Sequence, residues 1–190
     1  MTKSIMIVGV GGQGSLLAST LLGKLLVTEG YDVKVSEVHG MSQRGGSVVT
    51  YVRYGDKVYS PIIEKGDADC IISFEKLEAA RWVQYLKKGG VIITNTQQID
   101  PMPVVIGAAE YPAEILDELS GKVEVDALDA LTLAEEAGSS RAVNIVLMGR
   151  LARQLDIPVE KWEEALRMVV KPKFIDINLK AFALGYNYAK

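Results

Sequence analysis

The chain has 190 residues, 48% hydrophobic and 24% charged, the balance of an ordinary globular protein with material for one packed domain rather than two. A formal net charge of -3, with lysines and arginines dispersed along the chain, argues against nucleic acid as the main partner. Cys70 is the only cysteine, so the chain has no internal disulfide and cannot alone supply a four-thiolate zinc site or an iron–sulfur cluster. No segment approaches the ~20 apolar residues of a membrane span. The apolar start, MTKSIMIVGVGGQG, is too short and too broken by glycine for a signal peptide, so the expected location is cytoplasmic, with no membrane partner.

In chain order, Ile5–Val10 (IMIVGV) is a β-branched run, the pattern of a strand buried on both faces. Leucines at 16, 17, 21, 22, 25 and 26 give Ser15–Glu29 a helical period that stops at Gly30. Val33–Val38 is a second strand. Residues 47–54 (SVVTYVRY) alternate apolar and polar side chains, which predicts one exposed face, and Gly55-Asp56 predicts a hairpin turn into KVYSPII. Asp69–Phe74 (DCIISF) predicts a buried strand, followed by a helix over Glu75–Lys88 that stops at Gly89-Gly90. Residues 91–96 (VIITNT) form the next strand. Beyond the prolines at 101 and 103, short strands are expected at Val104–Ile106 and Val123–Val125, with a helix over Pro112–Leu119 between them.

From Leu131 the pattern is helical, roughly over 131–137, 140–155, 159–170 and 174–187, with breaks at Gly138, Pro158 and Pro172. Ala142, Ile145, Val146, Met148 and Leu151 are the side chains expected to pack this tail on the sheet. The expected fold is therefore α/β: three-layer and Rossmann-like, with a mostly parallel sheet, an edge hairpin and a helical C-terminal tail. A single domain over 1–190 is expected, with the sheet in 1–130 and the tail in 131–190.

Two glycine-rich loops carry the chemistry. GVGGQGS contains G-x-G-x-x-G as Gly9, Gly11 and Gly14, with Gly12 beside them, after a first strand and opening a helix. Helix-start N–H groups there attract an anion, and Gln13 and Ser15 add hydrogen-bonding side chains. Glu37, 23 positions after Gly14 at the end of the second strand, is the acid a dinucleotide ribose requires. The alternative is that the glycines only make a tight turn.

The second loop, HGMSQRGG, follows the second strand and so lies on the same sheet edge. It holds His39, the only histidine, with Ser42, Gln43, Arg44, Gly45 and Gly46. Arg44 offers a bidentate fork to a phosphate or carboxylate, or to a carboxylate of a partner chain, and the glycines permit close backbone approach. His39 alone makes no metal pattern, and no catalytic residue is assigned. Gly66-Asp67-Ala68 with Asn95 loosely matches a thiamine diphosphate motif, but Ala68 replaces a glycine and Asp67 precedes its strand, on the wrong side of the sheet.

GVGGQGS and EVHGMSQRGGSV at this spacing, followed by ADCIISFE, resemble the gamma-type domain of 2-oxoacid:ferredoxin oxidoreductases over essentially the whole chain. The HGMSQRGG loop resembles the arylpyruvate (indolepyruvate) branch. The resemblance implies a small subunit of an enzyme that oxidatively decarboxylates aryl 2-oxoacids, forms aryl-acetyl-CoA and reduces ferredoxin. It implies thiamine diphosphate, magnesium and 4Fe-4S clusters on a large (alpha) partner subunit, and coenzyme A as co-substrate. The isolated chain is then expected to be inactive, with the glycine loops facing the partner or coenzyme A. A self-contained NAD(P)-binding module and a structural adaptor are the alternatives.

Overall fold

A computed structural model describes residues 2–38 and 46–189. The chain begins β1 (Lys3–Val10), α1 (Ser15–Thr28), β2 (Asp32–Val38), β3 (Ser47–Gly55), β4 (Ala68–Ser73), α2 (Lys76–Trp82) and β5 (Leu86–Asn95). It continues α3 (Met102–Val105), α4 (Ile115–Ser120), β6 (Glu124–Leu128), α5 (Ala130–Ala137), α6 (Val143–Ala152), α7 (Val159–Val169) and α8 (Ile175–Asn187).

The strands form one sheet in the order β2-β3-β1-β4-β5-β6. β3 runs antiparallel to β1 and β2, and the β1–β4, β4–β5 and β5–β6 pairs are parallel. The alternation of IMIVGV explains why both faces are covered. Ile5 and Ile7 join the core under the N-terminal helix and the tail, whereas Met6 and Val8 join the opposite core with residues of α2 and α4. Ala142, Ile145, Val146, Met148 and Leu151 are all buried in the first of these cores, so the tail packs as its sequence indicates.

α6 and α8 cross in close contact because each presents a glycine. A Cβ on Gly149 would strike the Phe182 carbonyl, and one on Gly185 would strike that of Val146. Buried Asp126 on β6 ties the pair to the sheet, accepting from Arg150 Nε at 2.6 Å and Nη2 at 3.1 Å.

Four local expectations are corrected. β3 is not half-exposed: it is an inner strand between β1 and β2, and even Thr50 is 2% exposed. The edge hairpin is β2–β3; KVYSPII forms no strand, because both edges of β3 are already paired. The helix after β4 ends at Trp82 and passes through a 3-10 turn, so Gly89 and Gly90 lie inside β5. There the register slips, with Ala68 opposite Leu86 but Cys70 opposite Val91, and a Cβ on Gly90 would meet the Asp69 carbonyl at 2.9 Å. Finally, 104–106 is no strand: Val104 and Val105 belong to α3, whose first turn accepts Pro103 because the N–H that proline lacks has no partner there.

Candidate functional site

α1 leaves β1 on one face of the sheet, and α2 leaves β4 on the other, so the switch in topology lies between β1 and β4. In open α/β sheets the crevice at the carboxyl ends of such strands is where ligands bind. The first glycine loop lies at this point. Gly12 and Gly14 have φ of 104° and 87°, a left-handed backbone that only glycine adopts without strain. Gly14 is the N-cap of α1 and no side chain caps the helix, so its first-turn N–H groups lack a side-chain acceptor.

The structure assigns the remaining loop residues different tasks from those expected. Gln13 is committed to the fold: its Oε1 accepts from Val10 N–H at 2.7 Å and its Nε2 donates to the Phe74 carbonyl at 3.0 Å. Gly11 donates its N–H to the Gly46 carbonyl at 2.9 Å, so the foot of the second loop rests on the first. Gly9 lies within β1, where a Cβ would come within 3.1 Å of Phe74 Cβ. Gly14 allows close contact with α6. Asn144 donates to its carbonyl at 3.1 Å, and a Cβ on Gly14 would lie 2.6 Å from Asn144 Nδ2. Ser15 begins α1 and is half-buried. His39, Ser42, Gln43, Arg44 and Gly45 lie outside the described residues; the flanking Val38 and Gly46 are at the carboxyl edge, as expected.

Glu37 is not placed for a dinucleotide ribose. β3 intervenes between β1 and β2, which moves the end of β2 two strand spacings, about 10 Å, from β1. There its carboxylate accepts from Ser19 Oγ on α1 at 2.8 Å. Asp67 and Asn95 fall at opposite ends of the parallel pair β4–β5, and Asn95 donates to the Phe74 carbonyl and accepts from Ala130 N–H. Cys70 is buried, and that burial, followed by the charges of Asp69 and Asp126, pushes its thiol well above the ordinary value. It is core, not a nucleophile.

The crevice itself is a cavity of about 730 Å³ whose walls include Gly12, Gly14, Gln97, Ile99, Arg141 and Asn144. Leu17 and Arg141 also line a neighbouring cleft of about 500 Å³, whose far wall carries Phe174 and Ile177. Arg141 is exposed and sits in the 3-10 turn before α6. One positive side chain and one uncapped helix start thus flank a cavity that continues into a partly apolar cleft. That combination suits a ligand with phosphate at one end and apolar groups at the other.

Sequence reasoning did not find Arg141, Asn144, or the buried carboxylates Glu75 and Glu78. Glu75 carried one readable signal: an acid directly after a buried strand and three residues before Glu78, the spacing of a helix cap. Arg141 and Asn144 reach the crevice from far along the chain, Asn144 from 130 positions beyond Gly14.

Comparison with known proteins gives one consistent result. The family model for pyruvate ferredoxin/flavodoxin oxidoreductase matches residues 4–188. Indolepyruvate oxidoreductase subunit IorB of Thermococcus kodakarensis is 48% identical over 195 residues, covering 98% of this chain and 96% of the relative. The fold is that of pyruvate oxidoreductase subunit PORC from Thermotoga maritima, with a TM-score of 0.75 at 21% identity over 100% of this chain and 97% of that one. The 2-oxoglutarate:ferredoxin oxidoreductase of Magnetococcus marinus was solved with 2-oxoglutarate, coenzyme A and succinyl-CoA bound. It matches with a TM-score of 0.72 at 21% identity, over 97% of this chain and 30% of its own.

Proposed function

The chain belongs to the pyruvate ferredoxin/flavodoxin oxidoreductase family and is a subunit of a ferredoxin-dependent 2-oxoacid oxidoreductase, and on that premise we propose that the enzyme it serves oxidises arylpyruvates such as indolepyruvate. The observation that carries the substrate class is the 48% identity, over 98% of the chain, to a subunit named for indolepyruvate. Ferredoxin accepts the electrons, and the assembly is a heteromer of this small subunit with a larger one.

Thiamine diphosphate, magnesium and the iron–sulfur clusters are assigned to the larger subunit, where they supply decarboxylation and electron transfer. The donor set of this chain does not fit them. Its only thiol is buried with its pKa raised, and Asp67 and Asn95 lie at opposite ends of their strands. Among the described residues no side chain is assigned a step of that chemistry.

This chain's contribution is binding and orientation. Coenzyme A is the co-substrate suited to the crevice: its phosphates would meet the start of α1 with Ser15, and Arg141, and its apolar portion the cleft of Leu17, Phe174 and Ile177. Gly12 and Gly14 let the ligand approach the backbone, and Gly46 joins this wall to the second loop, where Arg44 and His39 are the remaining candidates for ligand or partner contact. The NAD(P) reading loses its ribose acid, because Glu37 is separated from β1 by β3.

The test is reconstitution. The purified chain is expected to show no iron–sulfur absorbance and no 2-oxoacid oxidation. Co-expression with the cognate large subunit is expected to give a brown complex that reduces ferredoxin with indolepyruvate and coenzyme A. Turnover by the isolated chain, or micromolar NAD(P) binding to it in a calorimeter, would overturn the reading.

A further inference from the structure

Glu75 is 1% exposed, and a buried carboxylate is retained only where donors surround it. It caps α2 by accepting from Glu78 N–H at 3.0 Å. A Ser or Asp performs that task with a shorter side chain, so the cap alone does not explain a glutamate here. The extra length brings Oε1 to two groups much further along the chain, the Ile99 N–H at 3.2 Å and the Tyr111 hydroxyl. These are the two ends of the excursion between β5 and α4, and they bond the same oxygen. The Tyr111 hydroxyl is pushed well above its ordinary value, first by burial and then by the Glu75 carboxylate, so it remains a donor.

Beyond the Tyr111 ring, which packs on the core shared with α2 and α4, burial does little to hold the excursion. Its tip is one helical turn, closed by Gly107 at φ 74° and by Ala108 N–H to the Pro103 carbonyl at 2.8 Å. Met102, Val105 and Ile106 on that turn are 68%, 66% and 68% exposed, so apolar packing does not anchor it. The base, by contrast, forms part of the site: Gln97 and Ile99 line the crevice opposite Gly12 and Gly14. Lys76 N–H donates to the Gln97 carbonyl at 3.3 Å, and Gln13, from the glycine loop, holds the Phe74 carbonyl. Both walls of the crevice are therefore tied to one corner, residues 74–76.

We propose that Glu75 is a positioning residue for the crevice: by holding Ile99 and Tyr111 on one oxygen it fixes the 97–99 wall relative to the glycine loop. The proposal rests on the reading that coenzyme A occupies this crevice. Glu75 touches no ligand; it acts through Ile99 and Gln97.

Tyr111→Phe and Glu75→Gln, each made in the two-subunit complex, test it. In Glu75→Gln the single amide oxygen is expected to keep the α2 cap, which leaves the NH2 facing the Ile99 N–H and removes the clasp. Each variant is expected to raise KM for coenzyme A about tenfold, with kcat within about twofold and the melting midpoint within about 3 °C. In the isolated chain, exchange of the Ile99 amide is expected to quicken about tenfold while amides of residues 91–94 are unchanged. A lowered midpoint with KM unchanged, or unaltered Ile99 exchange, overturns the proposal. A wild-type complex inactive on arylpyruvates defeats the functional reading alone, since the exchange measurement still decides the clasp. If Glu75→Gln does not fold, Tyr111→Phe supplies both readings.

Discussion

The two ends of the parallel strands each carry a cavity, about 730 Å³ at the carboxyl end and about 570 Å³ at the amino end, and they handle charge in opposite ways. At the amino end the charges around Asp69 satisfy one another. Asp69 accepts from Lys87, from Lys3 at 3.3 Å and from the Ser4 N–H at 2.8 Å, and all of these groups belong to strand starts. At the carboxyl end half-buried Gln13 and buried Glu75 and Asn95 are consumed in tying loops together. Among the described residues no carboxylate lines that cavity, although Arg141 and the start of α1 do. One end pairs its lysines with a carboxylate and carries further acids, Glu124 and Asp156; the other presents positive groups to whatever enters. The difference supports the proposal that the carboxyl end receives the anion and that the amino end is structural.

The sharpest way to break this contrast is Gly14→Ala. The substitution forces an alanine to φ 87° and drives its Cβ to within 2.6 Å of Asn144 Nδ2. Left-handed strain and overpacking together should cost about 3 kcal/mol. Denaturant titration is expected to show that loss, and the surviving complex should bind coenzyme A poorly because the helix start has moved. A variant with wild-type stability would show that Asn144 yields easily and that the loop is not rigid.

How far such a site can be read from sequence depends on how local its causes are. IMIVGV, DCIISF and VIITNT declared their strands because burial on both faces leaves an unbroken apolar run. GVGGQGS declared a strand-to-helix turn because its glycines are needed within a few residues of one another. The position of β3 was not legible: its polar Thr50 and Arg53 suggest exposure, whereas the strand lies inside the sheet between β1 and β2 with Val52 and Tyr54 in one core and Val49 and Tyr51 in the other. That same insertion displaced Glu37, so one unreadable pairing undid a readable motif. Local charge pattern could not have revealed Arg141 either, because its role comes from the tail folding back over α1, not from its neighbours in sequence.

Arg141→Ala sharpens the contrast without disturbing the scaffold. The side chain is exposed, so the melting midpoint is expected to stay within about 1 °C. Loss of one guanidinium–phosphate contact should raise KM for coenzyme A about tenfold, near 1.4 kcal/mol, in the two-subunit complex. Arg141→Lys should recover part of the loss, as a point charge without the planar fork. An unchanged KM in both variants would move the anion away from this cavity.

The smallest effect belongs to the amino end, and its pH dependence distinguishes structure from site. Burial alone would raise the Asp69 carboxyl, but Lys87, the Ser4 N–H and Lys3 together hold it below the ordinary value of 3.8. A carboxylate depressed in the folded state contributes stability that is complete above that ordinary value and is lost as pH falls through the folded one. Asp69→Asn keeps an acceptor for Ser4 N–H and loses the ion pairs, which involve partly exposed lysines. The cost at pH 7 should be about 1 kcal/mol. The difference between wild type and variant should close progressively below about pH 4, because protonation then removes the charge from Asp69 itself. Urea midpoints of the two proteins at about pH 7 and about pH 3 measure this directly. KM for coenzyme A should not change in the variant, since the sheet separates Asp69 from the crevice; a changed KM would mean that the two ends are coupled through β1 and β4.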